Sequence, residues 1–274
     1  MPFPTRPESL RVLCLDGGGI KGYTSLLILR RIFLPKPCDI FDLIAGTSTG
    51  GLIAVMLGRL NMSIDECITT YEDVGGQGLR SSSFYDIEIM QDEIKKIMDR
   101  KKIPRHTSFR EGRSPTCKLM LCVTRAEISK PDVIRNFESF HPTAENYNCT
   151  IWEAASATAA APMYFKGVQF CDTGEKWYDG GLRRNPINEA FSELSRERDW
   201  KDRKVGCVLS LGCGVAKSAA VSSNLAGILK GAVAIMTDAD DIARVFASSG
   251  LGIELFRTHR YFWFNPDENC KTLP

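Results

Sequence analysis

The amino-acid sequence predicts an α/β sandwich folded as one domain, and three observations support this prediction. Short apolar runs alternate with segments of helical periodicity, which is the β-α-β-α order of a sheet with buried parallel strands. Apolar residues make up 43% and charged residues 25% of the chain, which is typical of globular proteins. A length of 274 residues is enough for one large hydrophobic core.

The first two predicted strands are each followed by glycines and then by a helix. The run "RVLCLD" (residues 11–16) is typical of a short buried strand, and helical spacing of apolar residues follows over 23–33. The run "FDLIAG" (41–46) predicts the second strand, and "TGGLIAVMLGRL" (49–60) predicts a helix rich in small and apolar residues.

Two more helices are predicted before the middle of the chain. Ser63 and Glu66 have the spacing of a capping box, which indicates the start of a helix. A glycine- and serine-rich segment, "GGQGLRSSS" (75–83), predicts a loop. The helix after this loop has an apolar face from Ile87 to Ile97 and charged residues on its other face.

The second half of the chain continues the alternation. The predicted strands are "CKLMLCVT" (117–124), "VIRNF" (133–137), "KWYDGG" (176–181) and "KVGCVLSLG" (204–212), and the predicted helices are "IWEAASATAAAP" (151–162) and "PINEAFSEL" (186–194).

The C-terminal part, 216–274, admits two interpretations. Leu225–Met236 is apolar with small residues, and helical spacing resumes over 238–256. These segments could form a lid that docks on a membrane surface, but ordinary core helices are the favoured interpretation. We therefore predict a single domain over 1–274.

Charge and composition exclude several classes of function. The formal net charge is +2 with scattered basic residues, which gives no indication of nucleic-acid binding. No segment is long and apolar enough to span a bilayer, and the N-terminus lacks the apolar stretch of a signal peptide. The ten cysteines include no C-x-x-C pair and no zinc-like Cys/His cluster. We expect a cytoplasmic protein with reduced thiols that is not secreted.

The first chemical motif surrounds a serine in "IAGTSTGG" (44–51). Ser48 lies between Gly46 and Gly50 in the G-x-S-x-G spacing of a nucleophile elbow, where a strand turns sharply into a helix and exposes the hydroxyl. The motif falls at a predicted strand–helix junction, as the elbow requires. An N-cap serine among structural glycines is the alternative.

A second glycine motif, "DGGGIKG" (16–22), also joins a strand to a helix. Its consecutive glycines, Gly17, Gly18 and Gly19, leave backbone N–H groups bare at a helix N-terminus, and such a nest suits an anion. In a hydrolase this anion is the oxygen of a tetrahedral intermediate, so these glycines are the candidate oxyanion hole.

The same loop also fits the G-x-G-x-x-G fingerprint of dinucleotide binding through Gly17, Gly19 and Gly22. That fingerprint requires an acidic residue at the end of the second strand to hold a ribose. Asp39 and Asp42 are near the expected spacing, but they lie at the start of that strand. A nucleotide-dependent reductase is therefore a weaker hypothesis.

A serine nucleophile needs a base, and the three histidines are poor candidates. His106, His141 and His259 each lie in loop-like or surface-like sequence, and none follows a strand as a triad histidine does.

Asp179, in "WYDGGLRRNP", is the better candidate base. It follows an aromatic strand end and precedes Gly180 and Gly181, whose small size permits close approach of another backbone. Taken alone, an aspartate in a glycine turn is more often a turn former.

Taken together, the three glycine motifs resemble those of the patatin-like phospholipase domain. That family carries D-G-G-G-x-K/R-G, G-x-S-x-G and D-G-G/A in this order, and here they are Asp16–Gly22, Gly46–Gly50 and Asp179–Gly181. The likeness extends over roughly residues 10–215.

The resemblance implies a three-layer α/β/α sandwich with a mainly parallel central sheet. It also implies a Ser-Asp dyad, in which Ser48 attacks an ester carbonyl and Asp179 accepts its proton, with no metal and no cofactor. The substrates it implies are fatty acyl esters of phospholipids, lysophospholipids or galactolipids, reached by peripheral contact with a membrane. The remaining motif glycines would support this site: Gly22, Gly46, Gly50, Gly180 and Gly181.

One segment departs from the family pattern. The family usually has Asn-Asn-Pro shortly after D-G-G/A, whereas here Arg183 and Arg184 precede a single asparagine, Asn185. The two arginines could attract lipid phosphates, but a solvated loop is slightly favoured.

Two further expectations concern the protein as a whole. Similar domains occur in fungal multidomain, immune-receptor-like proteins, so the chain could be part of a larger protein of fungal type. A binding or signalling module that keeps the fold without catalysis is the third class of function, and the intact serine–aspartate pair argues against it.

Overall fold

The computed structural model describes residues 9–32, 36–78, 87–112, 115, 117–128, 130–139, 144–162, 164–182, 185–196, 200, 203–214 and 239–266. Several sequence predictions lie wholly or partly outside these residues. They include the apolar segment Leu225–Met236, the second part of the loop predicted over 75–83, the candidate His141, and the possible lipid-phosphate contacts of Arg183 and Arg184.

The centre of the molecule is a mixed sheet of eight strands. Five strands are mutually parallel: β1 (Leu10–Leu15), β2 (Leu43–Thr47), β3 (Lys118–Arg125), β7 (Val205–Leu211) and β8 (Tyr261–Phe264). The other three form an antiparallel part beside β3: β4 (Lys130–Arg135), β5 (Val168–Gln169) and β6 (Lys176–Asp179).

Nine described helices surround this sheet. They are α1 (Gly22–Ile32), α2 (Pro37–Ile40), α3 (Ser48–Ala54), α4 (Ile64–Gly78), α5 (Ile87–Arg100), α6 (Ile151–Ala159), α7 (Pro186–Leu194), α8 (Ala239–Ser248) and α9 (Gly250–Arg257). A π-helical turn, Val55–Arg59, continues α3, and short 3₁₀ turns precede α1 and follow β6. None of these helices combines the length and apolarity needed to cross a bilayer.

The alternation of side chains along β1 shows why the fold has three layers. Leu13 and Leu15 face a hydrophobic cluster that includes α1, α3, α4, α5 and α6. Val12 and Cys14 face the opposite cluster, which includes α7, α8 and α9. Because successive strand residues point to opposite faces, one apolar strand can hold a helical layer on each side. The predicted α/β/α sandwich with a mainly parallel sheet is confirmed.

The strands β4 and β6 belong to the antiparallel minority of this mainly parallel sheet, since both run antiparallel to β3. Only four residues, 126–129, separate β3 from β4, and a connection of this length permits antiparallel pairing but not a parallel crossover. β6 also runs antiparallel to β3, with Asp179 opposite Val123. This reversal directs the end of β6 toward the end of β2.

The predicted loop over 75–83 is wrong in its first part, because α4 continues to Gly78. Glycine lowers helix stability by about 1 kcal/mol per residue, but it does not end a helix that is held by packing elsewhere. The apolar face of α4 supplies this packing through Ile64, Cys67 and Ile68, which are buried. The predicted capping box is present, since Ser63 and Glu66 exchange backbone-to-side-chain hydrogen bonds.

Helical structure in the C-terminal part agrees with the spacing of its sequence. α8 and α9 bury Phe246 and Leu255 in the same cluster as α7. The nine cysteines within the described residues form no disulfide.

Candidate active site

Ser48 lies at the junction of β2 and α3 in a conformation that is unusual for a residue with a side chain. Its φ is 54°, in the left-handed region that favours glycine. A Cβ atom at Gly46 would lie 2.5 Å from the carbonyl oxygen of Gly50, and one at Gly50 would lie 2.3 Å from that of Leu15. The two glycines therefore permit a sharp turn that leaves the Ser48 side chain partly exposed.

Asp179 reaches Ser48 because β2 and β6 end beside neighbouring residues of β3. Thr47 pairs with Cys122, and Asp179 pairs with Val123. β4 occupies the other side of β3 over this stretch, so β2 and β6 share one side and their ends face each other. The Ser48 hydroxyl lies close enough to the Asp179 carboxylate to lower the pKa of that group.

Three hydrogen bonds hold Asp179 in place. The Gly181 N–H donates to Asp179 Oδ1 at 2.8 Å, and the Thr124 hydroxyl donates to the Asp179 carbonyl oxygen at 3.1 Å. The Asp179 N–H donates to the carbonyl oxygen of Ala160, just beyond the end of α6, at 3.0 Å. The sequence expected close backbone approach at Gly180, and a Cβ there would lie 2.3 Å from the carbonyl carbon of Cys122.

The surroundings of Asp179 make its carboxylate a stronger base than an exposed one. Burial raises the pKa of Asp179 from 3.8 to about 6, and the hydrogen bonds from Ser48 and the Gly181 N–H limit this rise. The side chain is 4% exposed. Desolvation penalises the charged form, so the carboxylate gains more by accepting a proton.

The glycine loop between β1 and α1 lies directly against Ser48. A Cβ at Gly17 would lie 2.4 Å from the Cβ of Ser48. Gly19 has a φ of 58°, and the Gly18 N–H donates to Thr49 Oγ1 at 3.3 Å. Within the described part of the chain, the N–H groups of Gly17 and Gly19 donate to no partner. An anion bound at this loop could therefore accept hydrogen bonds from these two N–H groups.

Asn185, the single asparagine of the departing segment, donates a hydrogen bond to Asp16 of the glycine loop. It lies at the N-cap of α7, where its Oδ1 accepts the Ile187 N–H at 2.9 Å. Its Nδ2 donates to Asp16 Oδ1 at 3.2 Å, whereas Asp16 Oδ2 has no partner within the described residues. Burial raises the pKa of Asp16 to about 7, and the Asn185 bond opposes this rise.

Neither described histidine is placed to serve Ser48. His259 precedes β8 and therefore lies at the edge of the sheet where the parallel strands begin, opposite to Ser48. His106 lies in a loop beside the start of α6, where the Ile151 N–H donates to the Thr107 carbonyl oxygen. Asp179 lies at the other end of that helix, where its N–H donates to the Ala160 carbonyl oxygen. His141 is outside the described residues.

The two acidic residues considered for dinucleotide binding lie at the start of β2, whereas the glycine loop lies at the opposite ends of the parallel strands. Asp42 precedes β2, where its carboxylate accepts the Arg11 N–H at 2.9 Å and pairs with Arg203. Asp39 lies in α2, before the same strand. In the residues described, no three His, Cys, Asp or Glu side chains are grouped as metal ligands.

Sequence reasoning missed two hydroxyl groups at this site. Thr49 and Tyr71 both contact the glycine loop. The helical period of the sequence places Tyr71 on the apolar face of α4, but it indicates only which side of a helix is buried and not which group a hydroxyl contacts. The position of Thr49 beside the nucleophile is the one signal available for it.

Comparison with known proteins gives both a family and individual relatives. Residues 13–191, more than half of the chain, match the profile of the family described as patatin-like phospholipase. The chain is 28% identical over 299 residues to calcium-independent phospholipase A2-gamma of Mus musculus, an alignment that covers 99% of this chain and 36% of the relative. It is 25% identical over 332 residues to phospholipase A I of Arabidopsis thaliana, which covers 96% of this chain and 25% of that one.

The chain thus spans about a third of the length of the first of these relatives, and less of the second. Among solved structures it is similar to VipD from Legionella pneumophila. That match has a TM-score of 0.45 and 12% identity, and it covers 98% of this chain and 63% of the other.

Proposed function

The chain belongs to the patatin-like phospholipase family, and from this premise we propose that it is a serine lipid acyl hydrolase whose catalytic pair is Ser48 and Asp179. The placement of the Ser48 hydroxyl beside the buried Asp179 carboxylate, at the facing ends of β2 and β6, is the observation that carries the proposal. It joins the candidate nucleophile directly to a base of raised pKa, with no histidine between them.

The proposed reaction begins when Ser48 Oγ attacks the carbonyl carbon of an ester and its proton passes to Asp179. The negative oxygen of the tetrahedral intermediate accepts hydrogen bonds from the glycine loop, Gly17 to Gly19. When the intermediate collapses, the bond to the alcohol breaks, and the alcohol leaves with the proton from Asp179.

The second half of the reaction regenerates the serine. Asp179 takes a proton from water, whose oxygen attacks the acyl carbon bonded to Ser48 Oγ. Collapse of the second intermediate releases the fatty acid and returns the proton to Ser48. No step uses a group other than these side chains, the loop N–H groups and water, so we expect a chelator such as EDTA to leave the rate unchanged.

We propose that the substrates are acyl esters of phospholipids, lysophospholipids or galactolipids. Relatives of this chain carry the names calcium-independent phospholipase A2-gamma and phospholipase A I. Such substrates lie in membranes, so the enzyme would act by peripheral contact with a lipid surface from the cytoplasm. A larger, multidomain parent of fungal type stays a prediction from the sequence.

The test compares the wild-type protein with Ser48→Ala on p-nitrophenyl esters of several chain lengths and on phospholipid vesicles. We expect wild-type hydrolysis and a loss of at least about 10³-fold in kcat for the variant, because the nucleophile is gone. A fluorophosphonate probe should label wild-type protein and not Ser48→Ala.

The matched control is Ser248→Ala, because Ser248 is an exposed serine that bonds the Arg244 carbonyl within α8. This variant should keep wild-type turnover and labelling. Equal inactivity of the wild type and Ser48→Ala on every ester and vesicle would refute the enzyme proposal and favour a binding module.

A further inference from the structure

Two hydroxyl groups outside the predicted motifs connect the glycine loop to the nucleophile elbow. The Gly18 N–H donates to Thr49 Oγ1 at 3.3 Å, and the Tyr71 hydroxyl donates to the carbonyl oxygen of Gly19 at 2.6 Å. We refer to these two hydroxyl groups and their hydrogen bonds to the glycine loop as the hydroxyl relay.

The direction of each bond in the relay is fixed by the backbone group at its end. The Gly18 N–H can only donate, so Thr49 Oγ1 accepts, and the Gly19 carbonyl oxygen can only accept, so the Tyr71 hydroxyl donates.

The relay fixes peptide groups that a run of glycines leaves free. One end holds the peptide between Gly17 and Gly18, and the other holds the peptide that follows Gly19. The peptide between Gly18 and Gly19 is held separately, because the Gly18 carbonyl oxygen accepts the Lys21 N–H at 3.2 Å. All three peptide orientations around the candidate oxyanion donors are thus set by named bonds.

The last glycine of the motif gives independent support for the relay. A Cβ at Gly22 would lie 2.6 Å from the Tyr71 hydroxyl oxygen and 3.2 Å from Thr49 Oγ1. Glycine at this position therefore leaves room for both hydroxyl groups. Tyr71 itself is 9% exposed, and α4 carries it into the main hydrophobic cluster.

We propose that Thr49 and Tyr71 are positioning residues that orient the glycine loop for the oxyanion of the reaction. The inference rests on the proposed function and extends it to two further residues. Their hydroxyl groups neither contact the substrate nor take part in the proton transfer between Ser48 and Asp179. Thr49 follows the nucleophile directly, so the relay also keeps the loop in register with Ser48.

The test uses substitutions that remove only a hydroxyl group. For Tyr71→Phe and Thr49→Val we expect kcat to fall about tenfold or more, with KM changed less than about twofold, since the loss falls on transition-state stabilisation. Phosphonylation of Ser48 by a fluorophosphonate should slow in parallel.

Two control variants separate positioning from packing. Thr49→Ser keeps the hydroxyl and should keep kcat near the wild-type value. Tyr23→Phe removes the hydroxyl of a neighbouring tyrosine, which donates to Glu72 at 2.5 Å and whose ring centroid is 6.4 Å from that of Tyr71, and it should leave kcat unchanged. Unchanged kcat in Tyr71→Phe and Thr49→Val would overturn the proposal.

Amide hydrogen exchange gives a readout that does not depend on activity. A peptide that covers residues 16–22 should exchange faster in Tyr71→Phe than in Tyr23→Phe or the wild type, and equal exchange would overturn the relay. If wild-type protein shows no Ser48-dependent hydrolysis, the proposed function fails, and the exchange result still decides whether the relay orients the loop.

Discussion

The carboxylate of Asp179 combines two properties that usually oppose each other. It is buried, which favours its neutral form, and it accepts hydrogen bonds from Ser48 and the Gly181 N–H, which favour its charged form. Burial is the larger effect, so its pKa rises to about 6. At neutral pH the group is therefore ionised, and it binds a proton more strongly than an exposed carboxylate does.

The pH dependence of hydrolysis follows from this pKa. Asp179 must be ionised to accept the Ser48 proton, so we expect kcat/KM to fall about tenfold per pH unit below about 6 and to be level above it. Asp16, whose pKa is about 7, titrates nearby. In Asp16→Asn the fall of kcat/KM on the acid side should still occur near pH 6. If that fall disappeared in the variant, the titrating group would be Asp16 and not Asp179.

Replacing Asp179 with asparagine should remove activity and raise stability. The native pKa of about 6 lies above the ordinary value of 3.8, so ionisation destabilises the folded protein as pH rises from about 4 to 6. Asp179→Asn should gain up to about 3 kcal/mol of unfolding free energy at pH 8. Denaturant titrations at pH 8 and pH 4 measure this gain, which should vanish at pH 4.

The same variant tests the identity of the base. Asparagine cannot take a proton at neutral pH, so hydrolysis should be lost while the fold is kept. Near wild-type turnover in Asp179→Asn would show that another group deprotonates Ser48.

At the level of elements, the start of α7 joins two loops that are far apart in sequence. Asn185 caps this helix and also donates to Asp16, 169 positions away, at the start of the glycine loop. One side chain therefore connects the segment that follows Asp179 to the candidate oxyanion loop. The sequence indicated the helix start from Pro186 but not the partner of Asn185.

We expect Asn185→Ala to cost about 2–4 kcal/mol of unfolding free energy at pH 8, since it removes both a helix cap and the partner of a buried carboxylate. The cost should shrink at pH 5, where Asp16 is protonated. Ser249→Ala is the control, because Ser249 caps α9 by accepting the Gly252 N–H. It should cost about 1 kcal/mol at both pH values. Urea titrations measure both, and equal costs would contradict the link to Asp16.

At the scale of the whole molecule, an ion pair ties the antiparallel edge of the sheet to the α7 layer. Arg135 of β4 forms two hydrogen bonds with Glu193 of α7, at 2.9 and 3.1 Å. Their side chains are 8% and 2% exposed, so neither charge has much access to water. Such a pair contributes modestly when intact, but losing one partner leaves a buried charge uncompensated.

Arg135→Ala should therefore lower the unfolding free energy by about 3–5 kcal/mol, and combining Arg135→Met with Glu193→Leu should recover most of this loss. Arg105→Ala breaks an exposed pair with Asp99 and should leave the unfolding free energy nearly unchanged, because water screens exposed ion pairs. Urea denaturation of the variants provides the comparison. A similar, small cost at both arginines would show that the buried pair does not hold the layers together.

Local sequence patterns were enough to predict the order and type of most elements, because apolar periodicity and glycine placement are local properties. They also indicated Ser48 and Asp179 as the candidate pair, since each residue lies within a short motif at the end of a strand. The loop expected over 75–83 shows the limit of this reasoning, because packing carried α4 into glycines that were expected to end it.

The tertiary structure alone decided how these pieces meet. The side chains of Ser48 and Asp179 lie together because the ends of β2 and β6 face each other beside β3. This arrangement depends on strand pairing between segments that are distant in sequence. The partners of Asn185 and Tyr71 were decided in the same way. A hydroxyl or amide group can bond whatever the fold brings near it, so its partner cannot be predicted from its own stretch of sequence.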